Sequence, residues 1–397
     1  MTVRQLLAFL VPAIAVIALC VNAVNVSFDS LRLAPVLAAL CALQLALWPR
    51  FRIYRELRLY LAFGIYMLVS LLWAPDPAQG ANTLYPALDC VIALILFGSL
   101  AANCDTRTVL TGLLCGALVS SFGYSLITRF PFDYPEGFSY NAVASMYLFS
   151  FAATLLFGAT GRSKLIPLVI ACVLLLCIGA TSSIKTNLGI ALGAFSALLF
   201  YFKHSVRLLW RTALALIAVI GMVGYVVVSN DSVAQRLAAG LGRVALGATV
   251  LASSDDAPNS VGLGLTTREN WKDAGIRGWL HSPVLGNGVE ALRADIGITS
   301  HSTPIDLLYN TGIIGLALFY ACLGSVAWRL VLTRHTLSVA LRAAILLLLT
   351  CYSFTSLSGI MHYNVLLAAF IALSSQLLER AAQPGTAAAV VSMQASA

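Results

Sequence analysis

The sequence predicts an all-α, polytopic integral membrane protein with about twelve transmembrane helices and one long helical loop between the ninth and tenth. Three observations carry this. Of 397 residues, 60% are hydrophobic and only 10% charged, against about a quarter charged in a soluble domain. Apolar runs as long as a bilayer span requires, about 20 residues, recur from Leu6 to Leu378. A single long polar interruption separates Ser229 from Pro304. A water-soluble fold is excluded.

Hydrophobic runs and the turn residues between them place spans near 5–24, 31–48, 58–74, 85–103, 108–127, 141–159, 164–181, 187–202, 206–228, 305–332, 340–357 and 362–380. The first run lacks a small-x-small cleavage site followed by a soluble domain, so it reads as a retained span rather than a signal peptide. The chain thus divides into 1–228 with nine spans, 229–304 as the outer loop, 305–380 with three spans, and 381–397 as a disordered cytoplasmic tail rich in Pro, Gly, Ala and Ser. The nine cysteines lie in or at the ends of apolar runs and none falls in the polar segment. They read as small core hydrophobes, not as a disulfide or zinc framework.

An even number of spans puts both termini on one side. With the N-terminus inside, fifteen Lys and Arg fall on inner loops, among them Arg50, Arg52, Arg55, Arg58, Arg107, Arg329, Arg334 and Arg342, while short outer loops hold Arg32, Arg129 and Lys185. Cytoplasmic loops carry the excess of Lys and Arg, so both termini are expected on the cytoplasmic side and the 229–304 loop on the outer face, which in a Gram-negative cell is the periplasm. Only Glu56, Asp105 and Glu379 of the sixteen acids fall inside, which places polar chemistry at the outer face. The net charge of +8 then reflects topology and contact with anionic membrane lipids. The basic residues are scattered over many loops and form no nucleic-acid footprint.

Within the outer loop, Val233, Leu237, Leu241, Val244 and Ala248 recur at helical spacing with Arg236 and Arg243 between them, the pattern of a helix lying in the membrane interface. Residues 253–264 read as a flexible link. A second helix is expected from Thr266 to about Leu280, opened by a capping box, Thr266-x-x-Glu269. Arg268, Trp271, Lys272, Gly275 and Trp279 share one of its faces, and Asp273 and Arg277, four apart, form a pair on another. Arg268 in the first turn is either a solvated charge or, with the helix N-terminus, a phosphate receptor.

Downstream, Pro283 ends this helix and Gly286 and Gly288 permit a tight turn in His281-x-Pro283-x-x-Gly286-x-Gly288. Arg293 and Asp295 follow, then His301 at the mouth of the tenth span. An unperturbed imidazole titrates near neutral pH and can accept a proton from a sugar hydroxyl; a histidine at a helix start also serves as a cap. Asp306 either orients His301 or satisfies helix N-terminal amides. Lys185, between the seventh and eighth spans, is an interfacial anchor or a phosphate ligand, with Asp89 as a structural partner. The chain has no P-loop, GxSxG, HExxH, paired CxxC or DxD-like carboxylates, which disfavours nucleotide-using and metal-using mechanisms.

The span count, the long loop, Thr267-Arg268-x-x-Trp271, the Pro283/Gly286/Gly288 turn, and His301-Ser302 followed nine residues later by Gly312 together resemble the O-antigen ligase and polymerase superfamily. The resemblance implies a cofactor-free, metal-independent glycosyltransferase that moves a glycan from undecaprenyl pyrophosphate to lipid A-core in the ligase, or to another repeat unit in the polymerase. It assigns Arg268 to the donor pyrophosphate and His301 to activation of the acceptor hydroxyl. By the same likeness Arg293, and among the other loop and span-end cations Arg277 and Lys185, serve the pyrophosphate, while Trp271, Asp306 and Asn141 support the site. Lys185 stands where the family carries Arg, which keeps the charge and loses bidentate phosphate binding. The pattern around His301 favours a ligase. The alternatives are a polymerase with the same donor chemistry and a secondary transporter. A transporter fits less well, because the ionisable residues cluster at span ends and no loop in the first half matches the long one.

Overall fold

The computed structural model describes residues 2–24, 33–48, 53–130, 140–160, 165–181, 183–204, 261–297, 302–333, 337–357 and 361–382. They form helices, with no strand among them: α1 (Val3–Val24), α2 (Leu33–Leu47), α3 (Arg55–Ser70) with a 3-10 turn (Leu71–Trp73), α4 (Pro77–Asn103), α5 (Thr106–Thr128), α6 (Tyr140–Thr160), α7 (Leu165–Ala180), α8 (Ile184–His204), α9 (Val261–Trp279), α10 (Ala291–Ile296), α11 (Thr303–Leu332), α12 (Val339–Ser356) and α13 (Val365–Ala382). Seven of these are long and apolar enough to cross a membrane, and three shorter apolar helices accompany them. The described residues are helical throughout, and the chain is a multi-pass membrane protein. The span expected at 206–228, the interfacial helix at 232–252 and the tail beyond residue 382 lie outside the described residues.

Helix starts follow local chemistry where a capping side chain is present. Asp76 accepts from the Gln79 amide at 3.0 Å and Asp105 from the Thr108 amide at 2.9 Å, satisfying amides that the first turn leaves free. The Asp76 cap, with Pro77 in the first turn, starts α4 eight residues before the expected 85, because residues 77–84 are too polar for a hydropathy reading to include. A second correction concerns α9. It begins at Val261 rather than Thr266, so Thr266-x-x-Glu269 lies inside the helix and is no capping box, and the segment from 261 is not a link. Arg268 therefore sits two turns in, beyond the reach of the helix N-terminal dipole.

Close helix pairs use glycines four apart. A Cβ on Gly116 would strike the Ala13 carbonyl, and one on Gly112 the Phe9 carbonyl, so α5 meets α1 backbone to backbone; Gly189 and Gly193 bring α8 onto α12 in the same way. Small residues at this spacing let membrane helices approach closely. All nine cysteines are free thiols, eight of them buried, as the apolar-run reading expects.

The two ends of the bundle differ in polar content. At one end Arg329 lies 3.4 Å from Glu56 and 3.6 Å from Glu379, Ser325 donates to Glu56 at 2.6 Å, and Arg380 donates to the Cys104 carbonyl at 2.8 Å. Glu56, Asp105 and Glu379, expected on a common side, thus share one end. The opposite end carries α9, α10 and the first turns of α11.

Candidate functional site

The site is organised by a break in α11. At Gly312 the backbone turns to φ 62°, ψ −165°, which only glycine adopts without strain. The helical ladder opens there, and the segment 283–288 fills the gap as a strap. The amides of Asn287 and Gly288 donate to the carbonyls of Tyr309 and Asn310 at 2.8 and 2.9 Å, and the amides of Ile313 and Ile314 donate to Pro283 and Val284 at 3.0 and 3.4 Å. Irregular backbone at membrane depth persists only where protein satisfies its polar groups, and the strap does so. A Cβ on Gly286 would lie 2.5 Å from the Asn310 carbonyl, and one on Gly312 would strike the Val284 carbonyl. The turn motif and the distant Gly312 are thus two halves of one junction.

Helix α9 packs on the start of α11 through Gly275 and Gly278, which face Ile305 and the Tyr309 ring. The Trp279 indole donates to the Pro283 carbonyl at 2.9 Å, and the Asn287 side-chain amide donates to the Gly278 and Tyr309 carbonyls at 3.1 and 3.2 Å. Trp271 is half-buried on this helix, and Arg277 is exposed in its last turn. The expected Asp273–Arg277 pair takes a different form: the Arg277 Nε donates to the Asp273 backbone carbonyl at 3.4 Å. The side chain of Arg268 lies outside the described residues, as does all of His301, whose contact with Asp306 is therefore not described.

Asp306 is buried in the first turn of α11. Its Oδ2 accepts from the Asn310 Nδ2 at 3.2 Å and lies 3.5 Å from the His362 Nε2. Asn310 in turn accepts from the Leu292 amide at 2.9 Å, which ties α10 to α11. His362 is 1% exposed, ringed by Phe63, Phe319 and Tyr363. Its carbonyl accepts from the Tyr60 hydroxyl at 2.6 Å, and the neighbouring Met361 amide donates to Thr303 at 2.8 Å. Three separate stretches, α3, α11 and the segment before α13, are thereby locked around one buried carboxyl.

In α10, Arg293 is exposed and Asp295 accepts from the Tyr309 hydroxyl. Glu290, which precedes α10, is 7% exposed; burial pushes its carboxyl above the usual carboxylate range, opposed by a Thr83 hydrogen bond and the Arg293 charge. Lys185 is the second residue of α8, with its side chain outside the described residues. The start of α8 meets the start of α6: Ser183 donates to the Asn141 Oδ1 and contacts the Thr186 hydroxyl, each at 3.1 Å. Asp89, expected near Lys185, has a buried Oδ1 without a hydrogen-bond partner among the described residues.

Sequence reasoning misses Glu290, Asn310 and His362. The only signal for His362 is its place in a short polar gap between apolar runs, and nothing local marks Glu290. No protein-family model and no curated protein matches this chain.

Proposed function

We propose that this protein is a membrane glycosyltransferase that transfers an O-antigen glycan from undecaprenyl pyrophosphate to lipid A-core on the periplasmic face of the bacterial inner membrane, through twelve spans with both termini cytoplasmic. The observation that carries the reading is the junction of the 283–288 strap with the Gly312 break. It joins two of the motifs on which the family resemblance rests, and it sets the helix bearing Arg268 and Arg277, the short helix bearing Arg293, and the α11 segment that follows His301 against one another.

In the proposed reaction the bond from the sugar C1 to the pyrophosphate oxygen breaks and a bond from C1 to the acceptor oxygen forms. His301 takes the acceptor hydroxyl proton as general base. Negative charge builds on the departing pyrophosphate, and preorganised cations stabilise it; Arg268, Arg277, Arg293 and Lys185 are the candidates. Asp306 and Asn310 hold the first turns of α11, the helix that follows His301 in the chain, in place.

The test is a reconstituted transfer assay with purified protein, undecaprenyl pyrophosphate-linked glycan and lipid A-core, with EDTA and without nucleotide. Core-linked product that survives EDTA and is lost in His301→Ala and Arg268→Ala supports the ligase. A lengthened donor glycan without core-linked product identifies a polymerase of the same superfamily. Neither product from folded protein rejects glycosyl transfer and turns attention to transport.

A further inference from the structure

The strap exposes three consecutive apolar side chains, Pro283, Val284 and Leu285, while the carbonyl of each is met by a donor of the protein. The Pro283 carbonyl accepts from the Trp279 indole at 2.9 Å and from the Ile313 amide at 3.0 Å. The Val284 carbonyl accepts from the Ile314 amide at 3.4 Å, and the Leu285 carbonyl from the Tyr66 hydroxyl at 2.9 Å. Carbonyls of a loop in water need no such donors, because water supplies them. In hydrocarbon each one left unmet costs free energy, and Pro283 adds no amide that would need a partner.

The spans set the level at which the strap lies. On α3, Arg58 is exposed and Glu56 pairs with Arg329, which marks the charged end of the bundle. Tyr66 stands eight residues beyond Arg58, about 12 Å along the helix. Past that level the chain keeps apolar side chains exposed, first Leu68 and Val69 and then Leu72, which is 85% exposed and about 20 Å from Arg58. On α11 the break at Gly312 lies 17 residues from Arg329, about 25 Å. Both levels fall inside a hydrocarbon core about 30 Å thick.

The approach from α9 is graded in the same sense. Ile276, Leu280 and Val284, four residues apart, are exposed, and beside them runs a second exposed strip of Asp273, Arg277 and His281. An apolar strip next to a polar one fits a segment that descends through the lipid headgroups, where a guanidinium stays at the phosphates while its neighbours enter the acyl chains.

We propose that residues 276–285 form a re-entrant wedge in the leaflet far from the Glu56–Arg329 end, with Ile276, Leu280, Val284 and Leu285 packed against phospholipid acyl chains. The surface continues the lipid-facing side of α3, and lipid pressing on it backs the strap against the α11 break. The wedge stands whether or not the site transfers glycosyl groups.

The test places nitroxide labels on Val284→Cys and Leu285→Cys, with Leu68→Cys as the lipid-facing reference and Asp273→Cys as the polar one. Full-length protein carries them in a Cys115→Ser background, since the other eight cysteines are buried, and is reconstituted in phosphatidylcholine vesicles. Collisions with dissolved oxygen, which concentrates in hydrocarbon, are compared with collisions with a water-soluble nickel chelate. The strap labels are expected to match Leu68→Cys, with an oxygen-to-nickel collision ratio several-fold above that of Asp273→Cys. A ratio no higher than that of Asp273→Cys puts the strap in water and overturns the proposal. Labels shielded from both reagents put the face against protein, a second copy of the chain included, and overturn it as well. The two strap positions are read independently, so one misfolded variant leaves the comparison intact.

Discussion

The junction between strap and broken helix makes a quantitative prediction about a single methyl group. Gly286 at φ 74° and Gly297 at φ 73° share the same left-handed backbone, but their surroundings differ. A Cβ on Gly286 would lie 2.5 Å from the carbonyl carbon and oxygen of Asn310 and from the Gly312 nitrogen, whereas one on Gly297 meets nothing within 4 Å. Gly297→Ala therefore isolates the conformational cost, about 1–2 kcal/mol. Gly286→Ala carries that cost and also pushes the strap off a backbone that cannot rotate aside as a side chain would. Three bonds are at stake: Asn287 to Tyr309 at 2.8 Å, Gly288 to Asn310 at 2.9 Å and Ile313 to Pro283 at 3.0 Å. At about 1 kcal/mol each, and more where the freed groups stay out of water, losing two of them adds about 2–3 kcal/mol. The total for Gly286→Ala is then about 3–5 kcal/mol. Detergent-driven unfolding of both variants in lipid, followed by tryptophan fluorescence and by protease access to the strap, measures the difference. Equal destabilisation by the two substitutions would refute the idea that the strap is pinned by backbone contact at Gly312.

The other predictions concern the charged and polar clusters. Arg329→Met strips the cation from the fully buried Glu56 and should cost about 3–5 kcal/mol, much of it recovered in the Glu56→Gln/Arg329→Met double variant; a double-mutant cycle measures the coupling, and additive effects would remove the pair from the account. Asp306→Ala takes away the acceptor of Asn310 and the group facing His362 and should cost about 1–3 kcal/mol, with Asp306→Asn milder, as read by the unfolding midpoint. For Glu290, burial raises the carboxyl in the folded state above the ordinary glutamate range, so the folded protein holds the proton to higher pH than the unfolded chain. Its stability contribution relative to Glu290→Gln is then fully present below the unfolded value and is lost as pH rises through the folded one. Melting curves of the two proteins across that range check the sign, and a difference that grows in the wild type's favour with rising pH would contradict it.

Sequence alone determines the helical, membrane-embedded character of this chain, because span-length apolar runs leave backbone groups no partner but their own helix. It also determines which residues carry charge at which span ends, and the grouping of Glu56, Asp105 and Glu379 at one end follows from span order. Local readings fail where hydropathy and capping compete: α4 starts early because Asp76 caps a polar stretch, and α9 runs through the Thr266-x-x-Glu269 spacing that imitates a start. Only the tertiary structure decides that Gly286 and Gly312 are one junction. It alone sets His362 beside Asp306, and it alone lays Gly80 of α4 against Val289. These contacts join residues as far apart as 80 and 289, or 306 and 362, and no periodicity reports them. Their cause is the need to satisfy polar groups where a helix breaks in an apolar surround, and that need is met by whichever segment the packing of the other helices delivers.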